Sequence, residues 1–214
     1  MIQETEWKRL FERAHLTMEE NKDYLCELDR PLGDGDHGVT MSMGWKAVSE
    51  NIREELEGEN DCGKIASTSG RTFLSAVGSS VGPLYASGFM EGAKRIKQKN
   101  DLSDEDLRQF WLGFINGVQK RSGADSGDKT MMDVLYPIQK VLNDETIPVE
   151  SRFEHALWAA EQGMEATKHM ISHKGRSSRL GERSLGFQDP GATSMFLLFS
   201  TFVTQATESR NAHL

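Results

Sequence analysis

The sequence has little of what marks a secreted, membrane-bound or repeat-built protein. Only two of its 214 residues are cysteine, Cys26 and Cys62, and they do not form a CxxC spacing. One disulfide is open to such a pair, but sparse cysteine favours a reduced, cytosolic pair. No apolar run approaches the ~18 residues of a membrane span, so no membrane association is expected. The first residues, Met1-Ile2-Gln3-Glu4-Thr5-Glu6, lack a basic stretch and an apolar stretch, so no signal peptide is read there. Convincing strand alternation is missing, as is any repeat at solenoid spacing. Positive charge is also scarce: 25 Lys and Arg face 33 Asp and Glu, a formal net charge of -8. An acidic surface opposes direct binding to nucleic acid. It does not exclude a nucleotide, because bound Mg²⁺ supplies positive charge locally. A cytoplasmic location is expected.

What is present is an ordinary globular composition, 37% hydrophobic and 27% charged, enough for one domain with one core. Apolar residues step by three and four nearly everywhere. Trp7, Leu10, Phe11, Ala14 and Met18 mark one helix face. Met41, Trp45, Val48, Ile52 and Leu56 mark another, and Leu107, Phe110, Trp111, Phe114 and Val118 a third. Ser103 before Asp104, Glu105 and Asp106 reads as the N-cap of that third helix. Phe153, Ala156, Leu157, Ala160 and Met164 mark a late helix. Further helices are expected over 62–76, 83–99, 130–143 and about 191–209. Pro137 should kink the 130–143 segment or shift its start. Together these give about eight helices and an all-α fold. The glycine-rich polar stretches 30–38, 77–82, 121–129 and 174–191 fall between helices. In an antiparallel bundle, alternate connections emerge at the same end, so these four are expected to gather there.

Chemistry concentrates in those stretches. Asp29, Asp34 and Asp36 lie within eight residues, with glycines around the last two. Such turns let carboxylates converge, and converged carboxylates need a cation; hard oxygen ligands suit Mg²⁺ or Ca²⁺. An EF-hand counted from Asp34 requires a glutamate where Trp45 stands, so that reading fails. A solvated acidic turn before a helix is the competing reading. Gly78-Ser79-Ser80-Val81-Gly82-Pro83 is either a phosphate-binding turn at a helix start or an ordinary capped turn. Gly123–Thr130 looks superficially like a Walker A loop. However, Asp128 interrupts the Gly-Lys pair and no strand precedes it, so the P-loop reading is rejected. A helix cap involving Asp128 is an alternative role for that loop. Lys174–Ser184 carries cations among small residues: either phosphate-binding arginines or surface arginines paired with Glu182. His37 and His173 are candidates for polar contacts.

In combination these blocks are recognisable. Gly33-Asp34-Gly35-Asp36-His37-Gly38, Gly127-Asp128-Lys129-Thr130-Met131, Gly181-Glu182-Arg183-Ser184 and Gln188–Ser194 resemble, in order, the nucleotide-binding L subunit of dihydroxyacetone kinase. The resemblance runs from about residue 25 to the end. It implies an eight-helix antiparallel barrel with ADP or ATP held at one end through two Mg²⁺. By position, Asp29, Asp34 and Asp36 match the metal ligands. His37, Gly38, Val39 and Thr40 match a phosphate-contacting turn, and Ser80 and Val81 a nucleotide-contacting pair. Met131 matches an adenine contact, Arg176 a phosphate contact, and Asp189, Pro190 and Gly191 a final contacting turn. Arg176 and His37 are the implied catalytic residues. Three positions depart from the family pattern: Val81 replaces a common serine, Phe187 a common histidine, and Ser122 a common glycine.

The resemblance further implies phosphoryl transfer to dihydroxyacetone held on a separate K subunit. In the phosphotransferase-dependent version a phosphocarrier M subunit recharges bound ADP. A homodimer is expected. Two alternatives remain at this stage: a paralogue serving another ketose or a sugar acid, and a nucleotide-sensing partner of a transcriptional regulator.

Overall fold

The computed structural model describes residues 1–211. Among them are nine α-helices: α1 Glu4–Glu20, α2 Lys22–Asp29, α3 His37–Glu54, α4 Cys62–Ala76, α5 Val81–Arg95, α6 Asp104–Ser122, α7 Met132–Leu142, α8 Val149–Ala166 and α9 Pro190–Asn211. A two-residue antiparallel ladder joins β1 (Ile2–Gln3) to β2 (Asp101–Leu102). Two 3-10 segments, Thr167–His169 and Arg176–Ser184, lie between α8 and α9.

Eight helices close a ring. α1 packs on α3, each helix from α3 to α8 packs on the next, and α9 returns to α1. These eight correspond to those expected from the periodicity. The ninth, α2, is a short addition packed on α3 and α9. Because neighbours in the ring alternate in direction, α3, α5, α7 and α9 begin at one end, and α1, α4, α6 and α8 begin at the other.

The ring is filled by large side chains. Trp7 meets Phe11 at 5.3 Å and Phe110 at 5.1 Å, both edge-on. Trp111 meets Phe199 at 4.8 Å and Phe202 at 5.6 Å in the same manner. Edge-to-face packing sets ring hydrogens against neighbouring π faces, adding to the benefit of burial. The expected cap of α6 is present: Ser103 Oγ accepts from Asp106 N at 3.2 Å, and Ser103 N donates to Asp106 Oδ2 at 3.0 Å.

Pro137 neither starts nor ends the helix expected over 130–143. The helix begins at Met132 and retains the proline inside. Pro137 has no N–H for the carbonyl of Asp133. That oxygen faces Gly163 of α8, where a Cβ would come within 2.1 Å of it. Cys26 and Cys62 are free and buried. Among the described residues, no helix is long and apolar enough to cross a membrane.

Candidate functional site

The acidic loop is shaped by Asp29, the last residue of α2. Its Oδ2 accepts from Gly35 N at 2.9 Å and from Asp36 N at 3.1 Å. Gly35 adopts φ +77, a left-handed turn that a side chain would disfavour. The loop therefore wraps around one carboxylate and brings two more to it. Oxygens of Asp29, Asp34 and Asp36 lie within 4.8 Å of one another.

The electrostatics follow from that crowding. Arg176 pairs with Asp34, and this contact holds the Asp34 carboxyl below the usual range. Asp36 is pushed above it by burial, then by the charges of Asp34 and Asp29. One guanidinium faces three carboxylates, so the donor set retains negative charge and fits a hard divalent cation.

Above the carboxylates opens a cavity of about 410 Å³, lined by all four polar loops. From the first loop come Asp29, Asp34, Asp36, His37 and Thr40; from the second, Ser80 and Val81. Met131 comes from the third loop, and Arg176, Asp189, Pro190 and Gly191 from the fourth. Gly38 and Val39 fall outside the lining. Gly38 is packed on the Lys22 carbonyl of α2, and Val39 is 49% exposed.

The cavity suits an anion as well as a cation. α3 and α5 begin on it, and neither has a side-chain cap at its N-terminus. Free first-turn N–H groups at the positive helix end are ready donors for phosphate oxygens; in α5 this means Val81 N, because Gly82 N donates to Ser79 O at 3.2 Å and Pro83 has no N–H. Ser79 Oγ, buried in the wall, has no hydrogen-bond partner.

Two buried ionisable groups complete the wall. His37 Nε2 lies 2.9 Å from Ser194 Oγ, which lies 3.4 Å from Tyr85 OH. Burial lowers the His37 pKa to about 4, so the ring is neutral near pH 7. It therefore brings a hydrogen-bonded ring to the wall and not a charge. Asp189 caps α9 by accepting from Ala192 N at 2.7 Å, and burial raises its pKa to about 7.

The sequence reading missed several wall residues. Ser79, Arg121, Lys129, Thr130 and Lys174 line the cavity, and so does Ser122, one of the departures. The third loop is capped by Asp133 in preference to the expected Asp128: its carboxylate accepts from Gly127 N and from Thr130 N. Arg176 pairs across the chain with Asp34 and not locally with Glu182.

Comparison with known proteins gives the chain's family. The DAK2 domain family matches residues 31–204. The chain belongs to that family. It is 38% identical over 189 residues to the ADP-binding subunit DhaL of the PEP-dependent dihydroxyacetone kinase of Escherichia coli, covering 87% of this chain and 89% of that one. It is 36% identical over 187 residues to the ADP-binding subunit DhaL of the PTS-dependent dihydroxyacetone kinase of Lactococcus lactis, again covering 87% and 89%. The dihydroxyacetone kinase of C. freundii, solved with AMP-PNP and Mg²⁺, superposes with a TM-score of 0.70 at 23% identity, over 92% of this chain. This chain spans about a third of that protein, 33% of its length, and the likeness is one of fold. The DAK2 chain is thus all-α in class, as its sequence predicted.

Proposed function

We propose that this DAK2 chain is a single-domain, ADP-binding subunit of a phosphotransferase-dependent dihydroxyacetone kinase. It completes its active site against a separate ketone-holding K subunit, and a phosphocarrier M subunit recharges the nucleotide. The observation that carries the reading is the meeting of three carboxylates with two uncapped helix starts around one cavity. Such a site accepts a polyphosphate and its cations together. The similarity to DhaL subunits along nearly the whole chain supplies the reaction class. A cytoplasmic location accords with the reading.

Asp29, Asp34 and Asp36 would hold two Mg²⁺, which when bound neutralise charge on the phosphoryl group in transfer. The chain's own groups then divide the work. The first-turn N–H groups of α3 and the N–H of Val81 at the head of α5 receive phosphate oxygens, and Thr40 and Ser80 line the same wall. Met131, Val81 and Leu84 offer an apolar surface suited to the adenine. Arg176 keeps its charge whatever its surroundings and adds electrostatic stabilisation to the transferring group. His37 stays neutral and orients through Ser194. No residue of this chain is asked to form a covalent intermediate.

The test is calorimetry of ADP with Mg²⁺ on folded Asp34→Ala and Asp36→Ala. Loss of a carboxylate that would hold the cation is expected to weaken binding by about 100-fold, on the scale of ~3 kcal/mol for a charged contact. Unchanged affinity in both variants would sink the metal assignment.

A further inference from the structure

Lys129 stands where a phosphate-binding lysine would be sought, yet its hydrogen bonds go elsewhere. It lines the cavity wall but is only 1% exposed. Its ammonium donates to Met170 O at 3.2 Å, to Phe187 O at 2.6 Å and to Ser184 O. An ammonium has three N–H donors, and three carbonyls use them all. None remains for a phosphate.

The three carbonyls belong to one stretch of chain. Met170 stands at its start; Ser184 and Phe187 stand at its end. Lys129 therefore ties the neck of a loop whose body carries Arg176. Further bonds close the same neck: Gly186 N donates to Lys168 O at 2.8 Å, and Ser172 N to Ser184 Oγ at 2.9 Å. Asp189 lies just beyond the neck, at the start of α9. The backbone of Lys129 is itself left-handed, with φ 62, uncommon for a residue with a side chain. Asp133 maintains that turn by accepting from the N–H groups of Gly127 and Thr130. A strained turn, a buried cation and three converging carbonyls thus fix one loop, and that loop delivers one guanidinium to the acidic cluster.

We infer that Lys129 is a positioning residue: it holds the 170–188 loop so that Arg176 reaches the nucleotide phosphates. The inference rests on the nucleotide reading above. It goes beyond that reading by assigning a role to a residue that touches no ligand.

The experiment is a double-mutant cycle on the full chain. ADP affinity in saturating Mg²⁺ is measured by calorimetry for wild type, Lys129→Met, Arg176→Ala and the double variant. Hydrogen exchange is followed along the 170–188 loop. Lys129→Met keeps side-chain length and removes every donor. The expected result is a loss of roughly 30-fold for each single variant and a double variant no weaker than the worse single by more than about threefold, since residues acting through one another do not add. Faster exchange is expected in the loop, with helix amides unchanged. Losses that multiply, or a Lys129→Met protein that binds like wild type, overturn the inference. Should Lys129→Met fail to fold, Lys129→Gln, with two donors retained, takes its place in the cycle under the same criteria. Wild-type protein that binds no ADP would defeat the nucleotide reading itself, an outcome distinct from either of these.

Discussion

The two ends of the barrel are made of the same material and finished in opposite ways. At the end remote from the cavity, the starts of α4 and α6 are closed by the protein's own side chains, whereas α8 begins at Pro148 without a side-chain cap. Asp61 accepts from Gly63 N and Lys64 N at the head of α4, and also from Gln98 N. Ser103 and Asp106 cap each other at the head of α6, and Lys99 pairs with Asp106 at 2.8 Å. Trp7 Nε1 donates to Cys62 O at 3.0 Å. At the cavity end, α3 and α5 begin without a side-chain cap, carboxylates crowd, Asp189 is buried and Ser79 has no partner. Buried polar groups are nearly always satisfied in folded proteins. The difference lies in arrangement: carboxylates are capping or ion-paired at the heads of α4 and α6, and they converge beside uncapped helix starts at the heads of α3 and α5.

The largest expected effect tests where stability resides. Phe110 packs on Trp7, Phe89, Trp111 and Phe114 inside the ring. Phe110→Ala should cost about 3–5 kcal/mol in denaturant unfolding, through lost burial and the cavity left behind. A cost under ~1 kcal/mol would mean that the packed interior is not what holds the barrel together.

A second, smaller effect probes the tension at the cavity end. Burial raises the folded-state pKa of Asp189 to about 7, from an ordinary carboxyl value of 3.8. A raised carboxyl favours folding at pH below its unfolded pKa, and that benefit is lost as pH rises through the folded value. Asp189→Asn retains a capping oxygen and does not titrate. Relative to that variant, nucleotide-free wild type should lose roughly 2–3 kcal/mol between pH 5 and pH 7, at 1.36 kcal/mol per unit. The measurement is denaturant unfolding of both proteins across that range. A difference that stays flat would show that burial of this carboxyl carries no strain.

The contrast between ends was partly legible in the sequence. Ring helices announce themselves because each turns an apolar face inward, and the parity of an up-down bundle sends alternate loops to one end. The acidic loop was legible because glycines and aspartates interleave. α2 was not, because its eight residues bury only Leu25, Cys26 and Asp29, too few for a period. Which residues of a motif face inward was also hidden. His37 and Thr40, one helical turn apart, line the cavity, whereas Gly38 and Val39 rotate away from it. Lys129 was least legible of all. Its partners are backbone carbonyls 41 to 58 residues away, and a carbonyl leaves no mark in a sequence.

The smallest effect sharpens the comparison most, because it separates fold from site within one kind of feature. Asp61 and Asp36 are both aspartates immediately before a helix. The Asp61 carboxylate is occupied by N–H groups at the head of α4, whereas Asp36 makes no side-chain cap and faces its neighbouring carboxylates. Asp61→Ala removes a filled cap, so it should cost about 1–2 kcal/mol of stability. It should leave ADP affinity unchanged, because the head of α4 lies at the opposite end from the cavity. Asp36→Ala should behave in reverse: stability held or slightly raised, since a repelling charge is gone, and nucleotide binding lost. Thermal unfolding and calorimetry on the same two preparations decide it. If Asp61→Ala weakened ADP binding in proportion to its loss of stability, the ends would be coupled through the barrel, and the division between a closed end and a receptive end would fail.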